Sequence, residues 1–314
     1  MNHRIVLLYR WMIKRKIAFI FLLSSCFWLL LPAVFAEAEA IHPVRKLCEQ
    51  YMEVPEEKFF TPYEVCIYAL DDLDHERNYN DVRNFLLWYF KRINQADFSG
   101  MSGTTYDFTL RGNEDVTIVQ YDSIDGYSGL FLYLLNEYEK KTGDAALLRE
   151  NWNIICEIAY TIPYLQQPDG LTIAYPGYRM QYLMDNCEAY GGIMAFIEMG
   201  SRLNCSFDRP YYEACAQGIR SGIFTRLYDG KTNAFFWVND EPQKNKGLNM
   251  NQFYPDAYAQ IFLAYFGIVS NKQANEIFCA FCENYPENNW LDMPLEQRTY
   301  CMLTKKKLEK GSIN

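Results

Sequence analysis

Histidine is nearly missing from this chain. Three occur in 314 residues, at His3, His42 and His75, and none follows. Their absence from the main body excludes a Ser-His-Asp triad, a His-rich metal site and a histidine general base there. Acid–base chemistry must come from Asp, Glu, Tyr, Lys or Cys. Paired cysteines are missing too. Nine of the ten cysteines lie beyond the N-terminal segment, an odd and scattered set within apolar stretches. That pattern does not read as a disulfide framework, and Cys279 and Cys282 have no second pair with which to hold zinc. No metal and no cofactor is expected. Positive charge is also short, with 30 Lys and Arg against 39 Asp and Glu. Residues 37–314 carry 25 basic and 39 acidic residues, a balance of −14 that disfavours nucleic acid and anionic membrane surfaces as partners. Low-complexity tracts, like-charge blocks and linkers are absent, so residues 37–314 are read as one domain.

Aromatic residues are plentiful. Tyr, Phe and Trp make up 17% of the chain, and half of all residues are hydrophobic, which favours a packed globular body. Residues 1–36 read as an export signal. Arg4, Arg10, Lys14, Arg15 and Lys16 precede an apolar run from Ile17 to Ala36, and Val34-Phe35-Ala36 before Glu37 supplies a cleavage site. Met12 is an alternative start. An uncleaved N-terminal anchor is the second reading, since the run approaches the length of a membrane span. Lipidation at Leu23-Ser24-Ser25-Cys26 is a third, disfavoured by the apolar residues Phe27 to Leu31. All three place the body outside the cytoplasm, secreted or in the cell envelope, with membrane contact only through an uncleaved N-terminal segment.

Apolar spacing predicts a series of helical hairpins. The clearest helix, Ser123 to Lys141, carries Tyr127, Leu130, Phe131, Leu134, Leu135 and Tyr138 on one face, and Gly143 and Asp144 supply a stop and a new N-cap. Helices are expected over Pro62–Leu70, Asn80–Asn94, Ala145–Ile162, Tyr182–Arg202, Arg209–Leu227, Pro255–Val269 and Asn271–Asn284. Leu171–Tyr175 and Ala234–Val238 read as extended, and residues 243–247 as polar loop. Hairpins recurring in this way predict an all-α fold, an α/α toroid, in which alternate helices form a parallel inner ring.

Three segments then stand out: Tyr121-Asp122-Ser123-Ile124-Asp125-Gly126-Tyr127, Tyr182-Leu183-Met184-Asp185-Asn186-Cys187-Glu188-Ala189-Tyr190-Gly191-Gly192, and Asn251-Gln252-Phe253-Tyr254-Pro255-Asp256. Each opens the first helix of a hairpin and mixes carboxylates with tyrosine. On parallel inner helices, these acids would meet at one pole. Glycosidic cleavage needs two carboxyl groups in different protonation states, and sugar rings stack on aromatic faces. The candidate catalytic residues are Asp125, Asp185, Glu188 and Asp256. Tyr106, Asp122, Tyr127, Tyr190, Trp237 and Tyr254 are the candidate substrate contacts. A structural reading competes: Asp122 and Asp125 have the spacing of a cap and an N3 acid, Pro255 fits the first helical position, and Asp185 with Glu188 fits a solvated helix start. Gly191-Gly192 costs roughly 1 kcal/mol per glycine within a helix, which points to close approach of a neighbouring helix or of a ligand, the helix being favoured. Asn204-Cys205-Ser206 matches a glycosylation sequon.

At Asp122–Tyr127 leading to Glu137–Asp144, at Met184–Gly191 and at Phe253–Gln260, the sequence resembles the six-hairpin glycosidase-like superfamily, over about Asp107 to Tyr285. The resemblance implies an (α/α)6 barrel with a carbohydrate cleft at one pole, an oligo- or polysaccharide partner, and acid and base carboxylates mapping onto Asp125, Asp185, Glu188 and Asp256. Glycoside hydrolase is the function it favours. A non-catalytic carbohydrate-binding or exopolysaccharide-machinery role is the alternative, and a lyase or epimerase follows. One departure is expected. A full ring takes twelve helices, whereas roughly ten are legible here, counting a weak one near Leu295 to Leu308, and the polar end from Lys305 to Asn314 reads unlike a closing helix, which leaves either a ring incomplete at its C-terminal end or a chain cut short.

Overall fold

The computed structural model describes residues 41–311. The expected N-terminal signal or anchor lies outside them. Among the described residues no helix is long and apolar enough to cross a membrane.

The chain opens with α1 (Pro43–Cys48) and strand β1 (Glu57–Phe60), then the hairpin α2 (Pro62–Asp74) and α3 (Tyr79–Lys91). Strands β2 (Asp107–Arg111) and β3 (Glu114–Ile118) follow, then α4 (Ile124–Thr142), α5 (Ala145–Glu150), α6 (Trp152–Leu165), α7 (Leu183–Leu203) and α8 (Arg209–Gly222). A π-turn and the short strands β4 (Tyr228–Asp229) and β5 (Ala234–Phe235) lead to α9 (Glu241–Lys246). A second π-turn precedes α10 (Tyr258–Tyr265), α11 (Asn271–Asn284) and α12 (Leu295–Gly311). Local chemistry sets the ends. Thr61 caps α2 through the N–H of Glu64 with Pro62 at the first position, Gly143 (φ 72°) stops α4, and Ser270 with Gln273 forms a capping box on α11.

Five helices form the inner ring among the described residues. α2 packs on α4, α4 on α7, α7 on α10, α10 on α12, and α12 returns to α2. The remaining long helices lie outside: α3 against α4, α6 between α4 and α7, α8 against α7, and α11 against α10 and α12. The core fills the space between the layers, with Tyr89 stacked on Phe131, Trp152 on Phe196 and Phe262 on Tyr300. α4 is buried on nearly every side, as an inner helix must be.

The closest crossing joins α4 and α7. A Cβ on Gly192 would lie 2.4 Å from Gly129 Cα, and one on Gly129 would lie 2.4 Å from the Glu188 carbonyl oxygen. Gly191 faces the Phe266 ring at similarly close range. The glycine pair therefore serves helix packing, and the absent side chains set how deep α7 sits against α4.

One expectation about the ends of elements is corrected. The polar C-terminal segment is the helix that closes the ring. Its apolar stripe, with Tyr300 and Leu303 buried, packs inward, and its lysines reach the C-terminal ends of α2 and α10. Lys307 donates to the Tyr265 carbonyl (2.5 Å) and the Tyr133 hydroxyl (2.9 Å), and Lys306 pairs with Asp74 at 3.1 Å. Pro255 takes the expected first helical position: Tyr254 before it is extended (φ −115°, ψ 130°), and Pro255 to Ala257 lead directly into α10. It follows a cis peptide bond within the π-turn Phe253–Ala257. The sequence also conceals a three-stranded antiparallel sheet, β1-β2-β3, in which Phe60 pairs with Phe108. The stretch read as polar loop near 243–247 overlaps α9, capped by Asp240.

Candidate active site

The N-terminal ends of all five inner helices converge on one cleft of about 380 Å3. Thr61, Tyr63 and Glu64 come from α2 and its cap, Asp122, Ser123, Gly126 and Tyr127 from α4 and the residues before it, and Met184, Asp185 and Glu188 from α7. Tyr254 and Tyr258 represent α10, and Glu296 with Gln297 represent α12. No lysine, arginine or histidine lines it.

At its floor Glu188 is buried. Its Oε1 accepts hydrogen bonds from the Tyr63 hydroxyl (2.7 Å) and the Tyr300 hydroxyl (3.1 Å). Burial pushes the Glu188 carboxyl up to about 8. The two tyrosine bonds oppose the shift and the nearby Asp125 charge adds to it. With Oε1 receiving two donors, the carboxyl proton belongs on Oε2. That atom turns toward Gly126, 2.9 Å from where a Cβ on Gly126 would sit. Asp185 Oδ1 lies 3.5 Å from the same point. Gly126 thus leaves the space in which the two carboxyl groups approach each other.

Ser123 occupies the N-cap position of α4 but makes no side-chain cap bond. Its Oγ lies between two carboxyl groups instead, 2.7 Å from Asp125 Oδ1 and 2.6 Å from Asp185 Oδ2. A hydroxyl has one proton to give, so both contacts are hydrogen bonds only when one carboxyl is protonated and donates to Oγ. Asp125 already accepts from Thr172 Oγ1 (2.5 Å) and from the Gly126 N–H (3.0 Å), which suits the charged form. The proton therefore sits on Asp185. Burial, then the charges of Asp125 and Glu188, raise Asp185 well above the usual carboxylate range, against the pull of Ser123. Burial also raises Asp125, to about 6, against its three hydrogen-bond donors. Thr172 is itself held by its N–H bond to Asn186 Oδ1 at 2.8 Å.

Tyrosines form the walls. Tyr127 stacks on Tyr63 with ring centroids 5.7 Å apart, and its hydroxyl donates to Asp107 at 3.0 Å. Tyr254 is 53% exposed at the mouth, and Asp122 stands exposed on the rim.

The sequence candidates divide. Asp122, Tyr127, Asp185, Glu188 and Tyr254 line the cleft. Asp125 lies beneath it, joined through Ser123. Asp256 does not join them: it sits in the π-turn before α10 and accepts the Asn249 N–H at 3.3 Å. Tyr190 faces the concavity at the opposite pole, beside Tyr133 and Met194. Tyr106 and Trp237 belong to a row of rings outside the cleft. Sequence reasoning passed over Tyr63, Ser123, Gly126, Thr172 and Tyr300. Tyr63 carried a usable signal, since it follows the Thr61-Pro62 helix start and so belongs to the same pole. Among the described residues no group of three His, Cys, Asp or Glu could hold a metal ion.

No family model and no curated protein matches the chain. Solved structures match its fold. A rhamnosidase from Klebsiella oxytoca with rhamnose bound superposes with a TM-score of 0.55 at 13% identity, covering 80% of this chain and 46% of that one. The GH78 family rhamnosidase of a Bacillus species gives 0.59 at 12% identity, covering 87% of this chain and 29% of that one. An uncharacterized conserved protein from Thermus thermophilus gives 0.52 at 10% identity, covering 78% of this chain and 75% of that one. The chain spans less than half the length of either rhamnosidase. The likeness is one of fold, an α/α toroid of helical hairpins with five inner helices among the described residues.

Proposed function

We propose that this protein is a glycoside hydrolase acting outside the cytoplasm on an oligo- or polysaccharide of uncharged or amino sugars. The observation that carries the reading is the cleft where five helix ends meet, in which neighbouring carboxyl groups are walled by tyrosine and no cation is present. Helix N-termini favour negative charge there, while burial keeps protons on the acids. A uronate would enter a cleft already holding Glu64, Asp122, Asp185, Glu188 and Glu296 without a countercharge, so neutral and amino sugars are favoured. The basic and apolar stretches of residues 1–36 support export.

In this mechanism Glu188 is the proton donor. Its Oε2 proton passes to the glycosidic oxygen as the bond from that oxygen to the anomeric carbon breaks. A water oxygen bonds to the anomeric carbon. The water proton goes to Asp185 Oδ1, while the proton on Asp185 Oδ2 passes through Ser123 to Asp125. Asp185 thus acts as a base whose proton affinity is set by the buried Asp125, a positioning residue that does not touch the substrate.

An acid near 8 and a base system near 6 give a bell-shaped activity profile. Release of reducing ends from glucans, mannans, xylans and chitosan, followed from about pH 4 to 10, is the test. The expected result is product from at least one polymer, with an optimum at about pH 7. Saturable binding to these polymers with no product would leave a carbohydrate-binding protein and end the hydrolase reading.

A further inference from the structure

Beside the cleft, aromatic rings continue in an unbroken row. Phe98, 54% exposed, stacks on Tyr121 with centroids 4.8 Å apart. Tyr121 meets Tyr175 edge-on at 5.5 Å, and Tyr175 stacks on Tyr178 at 5.3 Å. The Tyr178 and Tyr182 hydroxyls are 2.8 Å apart, and Tyr182 stacks on Trp237 at 6.0 Å. The row comes next to the cleft at two points along the chain. Tyr121 precedes Asp122 on the rim, and Tyr182 stands one turn before Asp185, whose charge it feels together with that of Asp122. Phe98 and Tyr178 carry much of the exposed ring surface.

An isolated exposed aromatic residue needs no explanation, but a connected row leading away from a cleft does. Several of its hydroxyls are already bonded within the protein. The Tyr106 hydroxyl accepts the Phe98 N–H at 2.7 Å, and the Tyr121 hydroxyl bonds to Asp97 and Ser99. These bonds lock the rings in place, so a ligand stacking on them costs little side-chain entropy. Pyranose rings present flat C–H faces that suit such a surface.

We infer that this row is a binding track for further sugar units of the same chain, so that the site takes an extended, uncharged glycan rather than a single sugar or a disaccharide. The inference rests on the carbohydrate reading of the cleft but not on turnover. It predicts affinity that rises with chain length. None of the rings in the row lines the cleft itself, so sugar units that extend past the cleft gain contacts on the rings.

The test is calorimetric titration of Glu188→Gln, which cannot consume its ligand, with dimers, tetramers and hexamers of glucose, mannose, xylose and N-acetylglucosamine. For the sugar that binds, affinity rises from dimer to hexamer. Adding Phe98→Ala or Tyr178→Ala then weakens hexamer binding roughly tenfold and flattens the rise. Tyr160→Ala, which removes a ring 52% exposed on outer helix α6, leaves the rise intact. Equal affinity for dimer and hexamer, or a rise untouched by both track variants, overturns the track. Length-dependent binding lost in those variants, from a wild type that cleaves nothing, supports the track and removes the hydrolase reading alone. Cleavage with length-independent binding does the reverse. No binding by any oligomer overturns the track.

Discussion

Replacing Glu188 by Gln lowers kcat by about 1,000-fold, the middle of the range for loss of a positioned acid, while the protein remains folded. The amide oxygen can still accept from Tyr63 and Tyr300, so the two bonds that hold the side chain survive. What disappears is the proton on the atom facing Gly126. The same substitution also changes how stability depends on pH, which reports whether the Glu188 carboxyl is raised in the folded protein. The folded carboxyl is raised from 4.5 to about 8. A raised carboxyl contributes stability that is whole below about pH 4.5 and is lost as the pH climbs through 8, because the unfolded chain releases the proton more readily. The variant has no such proton to lose. Relative to wild type it therefore gains stability between about pH 5 and 8, by on the order of 3 kcal/mol. Urea unfolding at several pH values measures this, and parallel curves for the two proteins would contradict the assignment. Asp74, Asp97, Asp115 and Asp144 are lowered by their partners and act oppositely, losing stability at acid pH. They are common to both proteins and cancel in the comparison.

Asp185→Asn has the second large effect, a loss of about 100- to 1,000-fold in kcat. The amide can still reach Ser123, but it cannot take a proton from water. Asp125→Asn tests the relay separately. It leaves Asp185 in the cleft and removes the group that finally receives the proton, so activity falls and the acid limb near pH 6 disappears from what remains. An Asp125 serving only to hold Thr172 would leave that limb in place. Because the three groups share protons, the single losses are not additive. The double variant Asp125→Asn/Asp185→Asn is expected to lose little more than Asp185→Asn alone. Steady-state rates across the pH range for the three variants decide this.

Much of this was legible in the residues, for identifiable reasons. Helix α4 was readable because its apolar spacing is local and its stop, Gly143, is a conformational necessity. The meeting of Asp122, Asp185 and Glu188 followed from placing each at the start of an inner helix. Asp256 shares that position, but its carboxyl does not reach the cleft. The π-turn ahead of α10 carries its carboxyl to the Asn249 backbone, and spacing alone does not show a turn of that kind. Tyr190 misled for a related reason: two residues beyond Glu188, it points to another side of the same helix. The closing helix was hidden by its lysines. In sequence they read as a solvated tail, whereas in space Lys306 and Lys307 lie over the carboxyl and carbonyl groups at the C-terminal ends of the ring, where cations are favoured. With its place in the ring unread, Tyr300, one of the two donors to Glu188, was missed. The sheet escaped notice because its pairing joins Phe60 to Phe108 across a long separation, and the short polar strands show no strong alternation of their own.

The account depends on carboxyl groups that keep their protons at neutral pH inside a cleft without cations. The most direct measurement is a titration followed by carboxyl carbon NMR on protein labelled at Asp and Glu side chains, with Glu188→Gln and Asp185→Asn supplying the assignments. The prediction is that the Glu188 and Asp185 signals remain those of protonated acids at about pH 7, and that Glu188 ionises near pH 8. Signals showing both groups ionised by about pH 5 would contradict it.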